Sequence, residues 1–489
     1  MAGGGGVGTP AASPSSAADW PRWKVFPPIA LGVVMATLDA SVVNIALPTL
    51  QRSLHAALST VEWVALAYSL TITGLLLTAG RIADARGRRS IYGAGLLLFT
   101  FASLLCGLAP NVEMLIALRV LQGVGAALVS ANGSALLVQA FPLEERGRAL
   151  GAFGAMVGIG LAVGPPLGGL VVAHASWRWI FFVNIPLGLL AFSMLRKRVP
   201  ADTPTPGAMK VDRVQPLLWA LGLAGIMLAL TRGPEHGWLS PAVLTSGSIG
   251  AVLMVAFLQQ QRRVAQPLLP LDLIFGPLGG AVSLTFLSQL LSVSVGFLLP
   301  LVLEETGGLG AAQSGAWLAI LPVAALFCAP SAGRLADRMG ARTLTVTGMA
   351  FTAGGFALLS QLGALPMGAR LVTALVLIGV GQGLFTVPNA SALLSLVPPE
   401  RLGLASGLQG TTRSLGIAAG VAFTGAFATA RYHTHAHTEL HLGAPGGLDR
   451  GSFVTATHET FLALTLVALF ATWMAWRVRT KRAVVVAAA

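Results

Sequence analysis

Long uncharged apolar runs recur from one end of this 489-residue chain to the other. Such runs decide the solvent before any motif is considered. Apolar residues make up 55% of the chain and charged residues 10%, with a mean hydropathy of +0.77; an ordinary soluble domain carries about 25% charged residues. A helix needs roughly 20 apolar residues to cross about 30 Å of hydrocarbon. Fourteen runs bounded by charges, Pro or Gly approach that length: 26–48, 62–80, 90–109, 113–138, 148–172, 179–194, 215–231, 241–258, 276–303, 313–332, 343–362, 371–396, 402–429 and 455–476. The expected fold class is an all-α integral membrane protein.

The net charge of +13 does not point to nucleic acid, because the basic residues form short clusters between apolar runs rather than one face or tail. With the N-terminus inside, 23 of the 31 Lys and Arg fall on inner segments, six on outer loops (Arg52, Arg178, Arg232, Arg370, Arg431, Arg450) and two, Arg119 and Arg413, within spans. That bias follows the positive-inside rule and predicts both termini in the cytoplasm. Cys106 and Cys328 both lie in apolar runs, and nothing points to a disulfide framework. Arginine-rich, Ala/Gly-rich usage suggests a bacterial source, hence the bacterial cytoplasmic (inner) membrane.

Internal repeats organise the spans. Gly80-Arg-Ile-Ala-Asp84-Ala-Arg-Gly-Arg-Arg89 returns as Gly333-Arg-Leu-Ala-Asp337-Arg-Met-Gly-Ala-Arg342, and Val120-Leu-Gln-Gly-Val-Gly125 as Val376-Leu-Ile-Gly-Val-Gly381. The pattern Pro142, Glu144, Gly147, Ala149, Gly151 returns at Pro398, Glu400, Gly403, Ala405, Gly407, and all these offsets lie between 253 and 257. Same-sense repeats eight spans apart imply two six-helix bundles related by a pseudo-two-fold axis, with two extra helices inserted between them. The expected division is a disordered tail (1–22), an N-terminal bundle (23–198), a linker with the extra pair (199–275), and a C-terminal bundle with a basic tail (276–489).

No Gly-x-x-x-x-Gly-Lys-Ser/Thr segment occurs, so ATP is not the indicated energy source. No cofactor, catalytic set or metal cluster is indicated in the spans; what remains is an ion gradient. Asp39 and Arg119 stand at similar depth in the first and fourth spans, which run in opposite directions. A charge at mid-membrane costs roughly 2.5–3.5 kcal/mol on insertion scales and needs a partner or a watery cavity. The two are therefore a candidate proton-coupling pair, the alternative being a static pair that orients helices. Gly80, Arg81, Asp84, Gly87 and Arg88, with Asp337 in the second copy, form a candidate gate: Gly87 permits a tight turn, and the charges suit a latch. Gly160, Gly164, Pro165 and Gly168 form a run of small and helix-bending residues in span 5. Asn44, Glu62, Gln122, Gln289, Gln409 and Arg413 are candidate substrate-cavity residues; interhelical hydrogen bonding is the alternative for the amides, and a Ser59–Glu62 capping box for Glu62. His433, His435, His437 and His441 fall in an expected outer loop, read as solvated rather than metal-binding.

These residues carry a resemblance. Gly80 to Arg89 is similar to the loop signature of major facilitator transporters, Arg119 to Ala127 resembles their helix 4 motif, and Gly158 to Gly169 their antiporter motif. Leu38 to Pro48, Trp177 to Gly188 and Arg413 to Gly416 resemble signatures of the fourteen-helix drug:proton antiporter branch. The resemblance implies alternating access between two bundles, protons entering as a hydrophobic, often cationic, drug or secondary metabolite leaves. It implies a monomer in the bilayer that needs no cofactor beyond the proton gradient, binds no nucleic acid and is not an enzyme. Ser41 departs from the branch's usual threonine, and the second half lacks the deep carboxylates of members that carry divalent cations. The rival readings are an exporter of a lipid, siderophore or amino acid on the same fold, and a non-transporting membrane sensor.

Overall fold

In hydrocarbon every backbone N–H and C=O must be satisfied within the protein, and a helix does this within its own segment. The computed structural model accordingly is helical; it describes residues 22–56, 58–142, 145–201, 214–264, 267–276, 278–309, 311–362, 368–436 and 449–478. The first half comprises α1 (Arg22–Leu54), α2 (Leu58–Arg86), α3 (Arg88–Leu108), α4 (Val112–Ala140), α5 (Arg146–His174), and α6 (Trp179–Phe182) continued by α7 (Asn184–Arg198). Then come α8 (Val214–His236), α9 (Pro241–Gln261) and the short α10 (Leu271–Ile274). The second half comprises α11 (Gly279–Glu305), α12 (Ala311–Leu318) continued by α13 (Ile320–Met339), α14 (Ala341–Leu359), α15 (Ala369–Ser395), α16 (Leu402–Ala436) and α17 (Arg450–Arg477).

The halves repeat one another. α1 packs on α5 as α11 packs on α16, and the α3–α4 and α2–α4 pairs recur as α14–α15 and α13–α15. Helix starts are fixed locally: the Asn111 side chain caps α4 by accepting from Met114 N at 2.8 Å, and Asp449 caps α17 through Gly451 N and Ser452 N. Gly87 and Gly340, equivalent in the repeat, both take positive φ (101° and 87°) and turn the chain sharply into the next helix, a conformation that strains any residue with a Cβ.

Among the described residues, eleven helices are long and apolar enough to cross a membrane, against the fourteen expected. The α12–α13 rod, α14 and α16 fall outside that set. They correspond to α2, α3 and α5, so the halves still contain six rods each. Two expected spans are interrupted, at Val183 between α6 and α7 and at Ala319 between α12 and α13. α16 runs 35 residues, so His433 and His435 lie on a helix rather than in a loop, while His437 and His441 lie outside the described residues. The expected tail, 1–22, falls outside them as well but for Arg22.

The inserted pair α8–α9 packs on itself and, through α8, on α2 and α16. It therefore covers the line where the two halves meet: Gly74 of α2 lies against Ala220, and Trp219 of α8 against Phe257 of α9 with ring centroids 5.1 Å apart. An apolar cluster including Leu77, Trp219, Phe257, Leu404 and Leu408 joins both halves and the insertion.

The halves close on each other at the end that holds the Gly80–Arg89 turn. There α2 packs on α16 and, as its repeat mate, α13 on α5. A Cβ on Gly80 would collide with the Gly403 carbonyl, and one on Gly333 with that of Gly147. Ser134 and Ser406 hydroxyls meet across the same junction at 2.7 Å. A Ser134→Cys/Ser406→Cys pair is therefore expected to cross-link readily on mild oxidation. Adding Gly80→Val is expected to slow that cross-linking several-fold, measured by gel mobility, by holding the halves apart.

Candidate functional site

Asp39 of α1 and Arg119 of α4 meet inside the first bundle, each 1% exposed. Arg119 Nη1 donates to Asp39 Oδ2 at 2.5 Å and to Gln122 Oε1 at 2.6 Å, while Nε donates to the Val64 carbonyl of α2 at 2.9 Å. Asp39 Oδ1 accepts from Gln122 Nε2 at 2.9 Å and from Asn184 Nδ2 at 3.0 Å. Gln122 Nε2 also donates to Ser103 of α3 at 2.7 Å. The Arg119 guanidinium lies 3.9 Å from the Tyr68 ring centroid, and the Tyr68 hydroxyl donates to the Ala36 carbonyl at 3.2 Å. Both charges are thus paired and hydrogen-bonded, the condition under which a buried ion pair persists.

The turn motif forms a second polar centre. Asp84 Oδ1 accepts from Arg88 Nη2 at 2.8 Å and Nε at 3.1 Å, and Arg88 Nη1 donates to Gln139 Oε1 at 3.0 Å. The same carboxylate accepts from Gly403 N and Leu404 N, each at 2.8 Å. These are unpaired amides of the first turn of α16, where the helix dipole favours an anion. Asp84 of one half therefore caps a helix of the other. Arg81 donates to the Pro267 carbonyl at 2.8 Å, tying the motif to the segment after α9.

Between the halves lies a cavity of about 360 Å³. α5 supplies an apolar wall with Phe153, Gly154, Val157 and Gly158; α11, α15 and α16 supply a polar one with Gln289, Gln382, Asn389, Gln409 and Arg413. The opposite face of α5 packs on α1. Cβ atoms on Gly160 and Gly164 would collide with Thr37 and Ser41, and one on Gly168 would sit 3.1 Å from Val42; Ser41 Oγ donates to the Gly160 carbonyl at 3.3 Å. The small residues of span 5 are thus a close seam between two helices.

Two halves of matching packing, a central cavity and a mirrored turn motif describe a transporter architecture. The family model for the Major Facilitator Superfamily matches residues 29–292 and again 281–488. The chain belongs to the major facilitator superfamily. Among relatives, it is 35% identical to puromycin resistance protein pur8 of Streptomyces alboniger over 93% of this chain and 91% of that protein. It is 32% identical to the riboflavin transporter RibZ of Clostridioides difficile, over 92% and 97%. It is 31% identical to the methylenomycin A resistance protein of Streptomyces coelicolor, over 97% and 96%. Of solved structures, the human organic anion transporter MFSD10 aligns with a TM-score of 0.66 at 13% identity, covering 93% of this chain and 99% of that one. The proton:xylose symporter XylE aligns at 0.61 and 15%, covering 94% and 96%. Both share the major facilitator fold.

Within that fold, two expected cavity residues belong elsewhere. Gln122 is fully buried in the Asp39 cluster, because its amide serves both charges there. Glu62 is half-buried near the start of α2 and does not line the cavity; α2 begins at Leu58, which puts Ser59 inside the helix rather than at its cap. Gln289, Gln409 and Arg413 do come together in the cavity. The side chains of Asn44, Pro165 and Asp337 lie outside the described residues. Sequence reasoning passed over Asn184, Ser103 and Tyr68 as partners of the buried pair. Asn184 carried a usable signal, being a lone amide between apolar residues in Trp177–Gly188. Removing one charge strands the other, so Arg119→Leu is expected to lower stability by about 3 kcal/mol. The Asp39→Leu/Arg119→Leu double variant should lose less than the two singles combined, measured by equilibrium unfolding in detergent.

Proposed function

We propose that the protein is a proton-coupled antiporter that exports hydrophobic drugs or secondary metabolites by alternating access. The observation that carries this reading is a buried, fully paired carboxylate on α1, placed directly behind the helix that walls the cavity. Sequence relatives that are drug-resistance proteins support the substrate class. Basic residues clustered on the turn side support a bacterial cytoplasmic membrane location with both termini inside. The chain would work as a monomer, with no cofactor beyond the proton gradient. The described ends of α1 and α17 share the closed end: Trp23 packs edge-on against Phe141 and Arg342 bonds the Trp476 carbonyl. This arrangement is then closed toward the cytoplasm.

Protonation of Asp39 removes the acceptor charge that holds Arg119 and leaves a buried guanidinium poorly compensated. The bundle relieves that cost by rearranging α1 against its neighbours. Asn184 suits either state, because turning its amide exchanges a donor for an acceptor toward a protonated carboxyl. Movement of α1 passes to α5 through the Thr37–Gly160 and Ser41–Gly164 contacts, and α5 in turn contacts both the cavity and α13. Asp84 and the first turn of α16 then act as the latch that this motion releases. Coupling follows if protonated and deprotonated states differ in affinity for substrate.

The test uses purified protein in liposomes with an imposed pH gradient and a fluorescent drug. Wild type is expected to move the drug uphill while dissipating the gradient; Asp39→Asn is expected to insert normally and abolish both. Gradient-driven transport undiminished in Asp39→Asn overturns the coupling assignment, and absence of any wild-type transport favours a sensor.

A further inference from the structure

We propose that the cavity between the two halves binds amphipathic organic anions, with Arg413 as the residue that reads their charge. The proposal rests on the reading above for the cavity's being the transport site, and it replaces the often-cationic preference implied by the resemblance.

Arg413 sits within α16, one turn after Gln409 and on the same face, and both line the cavity. It is exposed there despite its position in the middle of a long helix. Among the described residues it has no hydrogen bond and no ion pair. Arg119, the other arginine within an expected span, provides the contrast: it is enclosed, and paired with a carboxylate, an amide, a carbonyl and an aromatic face. A cation left open in the membrane interior persists where it faces water or a ligand. Among the described residues, no carboxylate lines this cavity. The buried carboxylates of Asp39 and Asp84 are committed elsewhere, the first to Arg119 and the second to Arg88 and the α16 amides.

The walls complete the recognition pattern. An apolar body fits against Phe153 and Val157 of α5, where Gly154 and Gly158 leave a flat surface. Opposite it, Gln289 and Gln409 offer amides that accommodate carbonyl or hydroxyl groups beside the charge. The volume of about 360 Å³ falls in the range of drug-sized sites. A carboxylate, sulfonate or phenolate on a planar apolar body satisfies the free guanidinium through charge-assisted hydrogen bonds. A cationic compound of the same size meets a like charge with no acidic group to offset it, in surroundings that screen poorly.

The experiment titrates the full-length protein in detergent with two dyes of similar size, anionic fluorescein and cationic rhodamine 123, at low salt and pH 8, read by fluorescence polarisation. Wild type is expected to bind fluorescein about tenfold more tightly, roughly the worth of one charge-assisted hydrogen bond. Arg413→Gln is expected to lose that factor for fluorescein without weakening rhodamine 123, and to unfold no earlier than wild type, since it removes an unpaired cation. Arg413→Lys is expected to keep most of the preference. Equal or tighter binding of rhodamine 123 by wild type, no binding of either dye, or unchanged fluorescein affinity in Arg413→Gln overturns the proposal. Asp39→Asn separates it from the coupling reading. That variant mimics the protonated carboxyl and is expected to shift its affinity for both dyes together while keeping the preference for fluorescein, so intact transport in Asp39→Asn sinks only the coupling, and charge-blind binding by wild type sinks only the anion site.

Discussion

The ion pair between Asp39 and Arg119 is the constraint around which the first bundle is assembled. Its hydrogen bonds join α1, α2, α4 and α7, and Gln122 extends them to α3, so five helices share one buried network. An apolar core of equal volume would hold those helices together at less cost, because desolvating two charges offsets much of their attraction. Retaining the pair makes sense where the charge state itself is used. The bundle is then most stable in one protonation state and has a defined reason to move in the other.

The second bundle shows what the repeat looks like without that requirement. At the offset that relates the two halves, Arg119 and Gln122 correspond to Leu375 and Ile378, both fully buried and apolar. Deep in that bundle, among the described residues, the interhelical polar contacts are neutral, Ser288 with Gln382, Asn389 with Thr285 and Thr424 with Ser294, whereas Arg431 and Glu459 pair near the C-terminal end of α16. The turns, by contrast, have diverged little, with Gly87 and Gly340 in the same positive-φ turn and Gly80 and Gly333 each pressed on the opposite half. Closure needs both halves to present the same backbone shape, so its geometry is kept twice. The proposed proton coupling needs one site, and among the described residues only the first half keeps an ion pair buried at mid-span.

This division also explains what was legible in the sequence. Long apolar runs, a repeat at constant offset and isolated charges inside spans are signals of period and cost, and they delivered the helices, the two halves and the Asp39–Arg119 pairing. Which way an amide points is a matter of helix rotation, not of cost. Gln122 and Gln289 look alike in an apolar run, yet one turns into the bundle and the other into the cavity. The breaks at Val183 and Ala319 each fall three residues before a proline, Pro186 and Pro322, whose missing N–H leaves the carbonyls of Phe182 and Leu318 without a helical partner; that local signal was there to be read. The continuation of α16 through His433 and His435 follows from packing on α17, where Arg431 and His435 both contact Glu459, a long-range pairing that no window of sequence contains.

The proposed coupling requires a sealed carboxylate to sense a cavity it does not touch. α5 supplies the connection, because its small residues are distributed over two faces. Gly154 and Gly158 open onto the cavity, whereas Gly160, Gly164 and Gly168 lie so close to α1 that their backbones contact Thr37, Ser41 and Val42. Ordinary side chains would place compliant rotamers between the two helices and absorb a displacement of several tenths of an ångström. Backbone packed on side chain, with no Cβ between, transmits it. A shift of α1 caused by losing the Asp39 charge therefore reaches the apolar wall of the cavity, and an occupant pressed against Phe153 pushes back along the same path. Reciprocity of this kind is a thermodynamic necessity once the two sites are linked. The glycines of span 5 are then required less for the bending of one helix than for the stiffness of the contact between two.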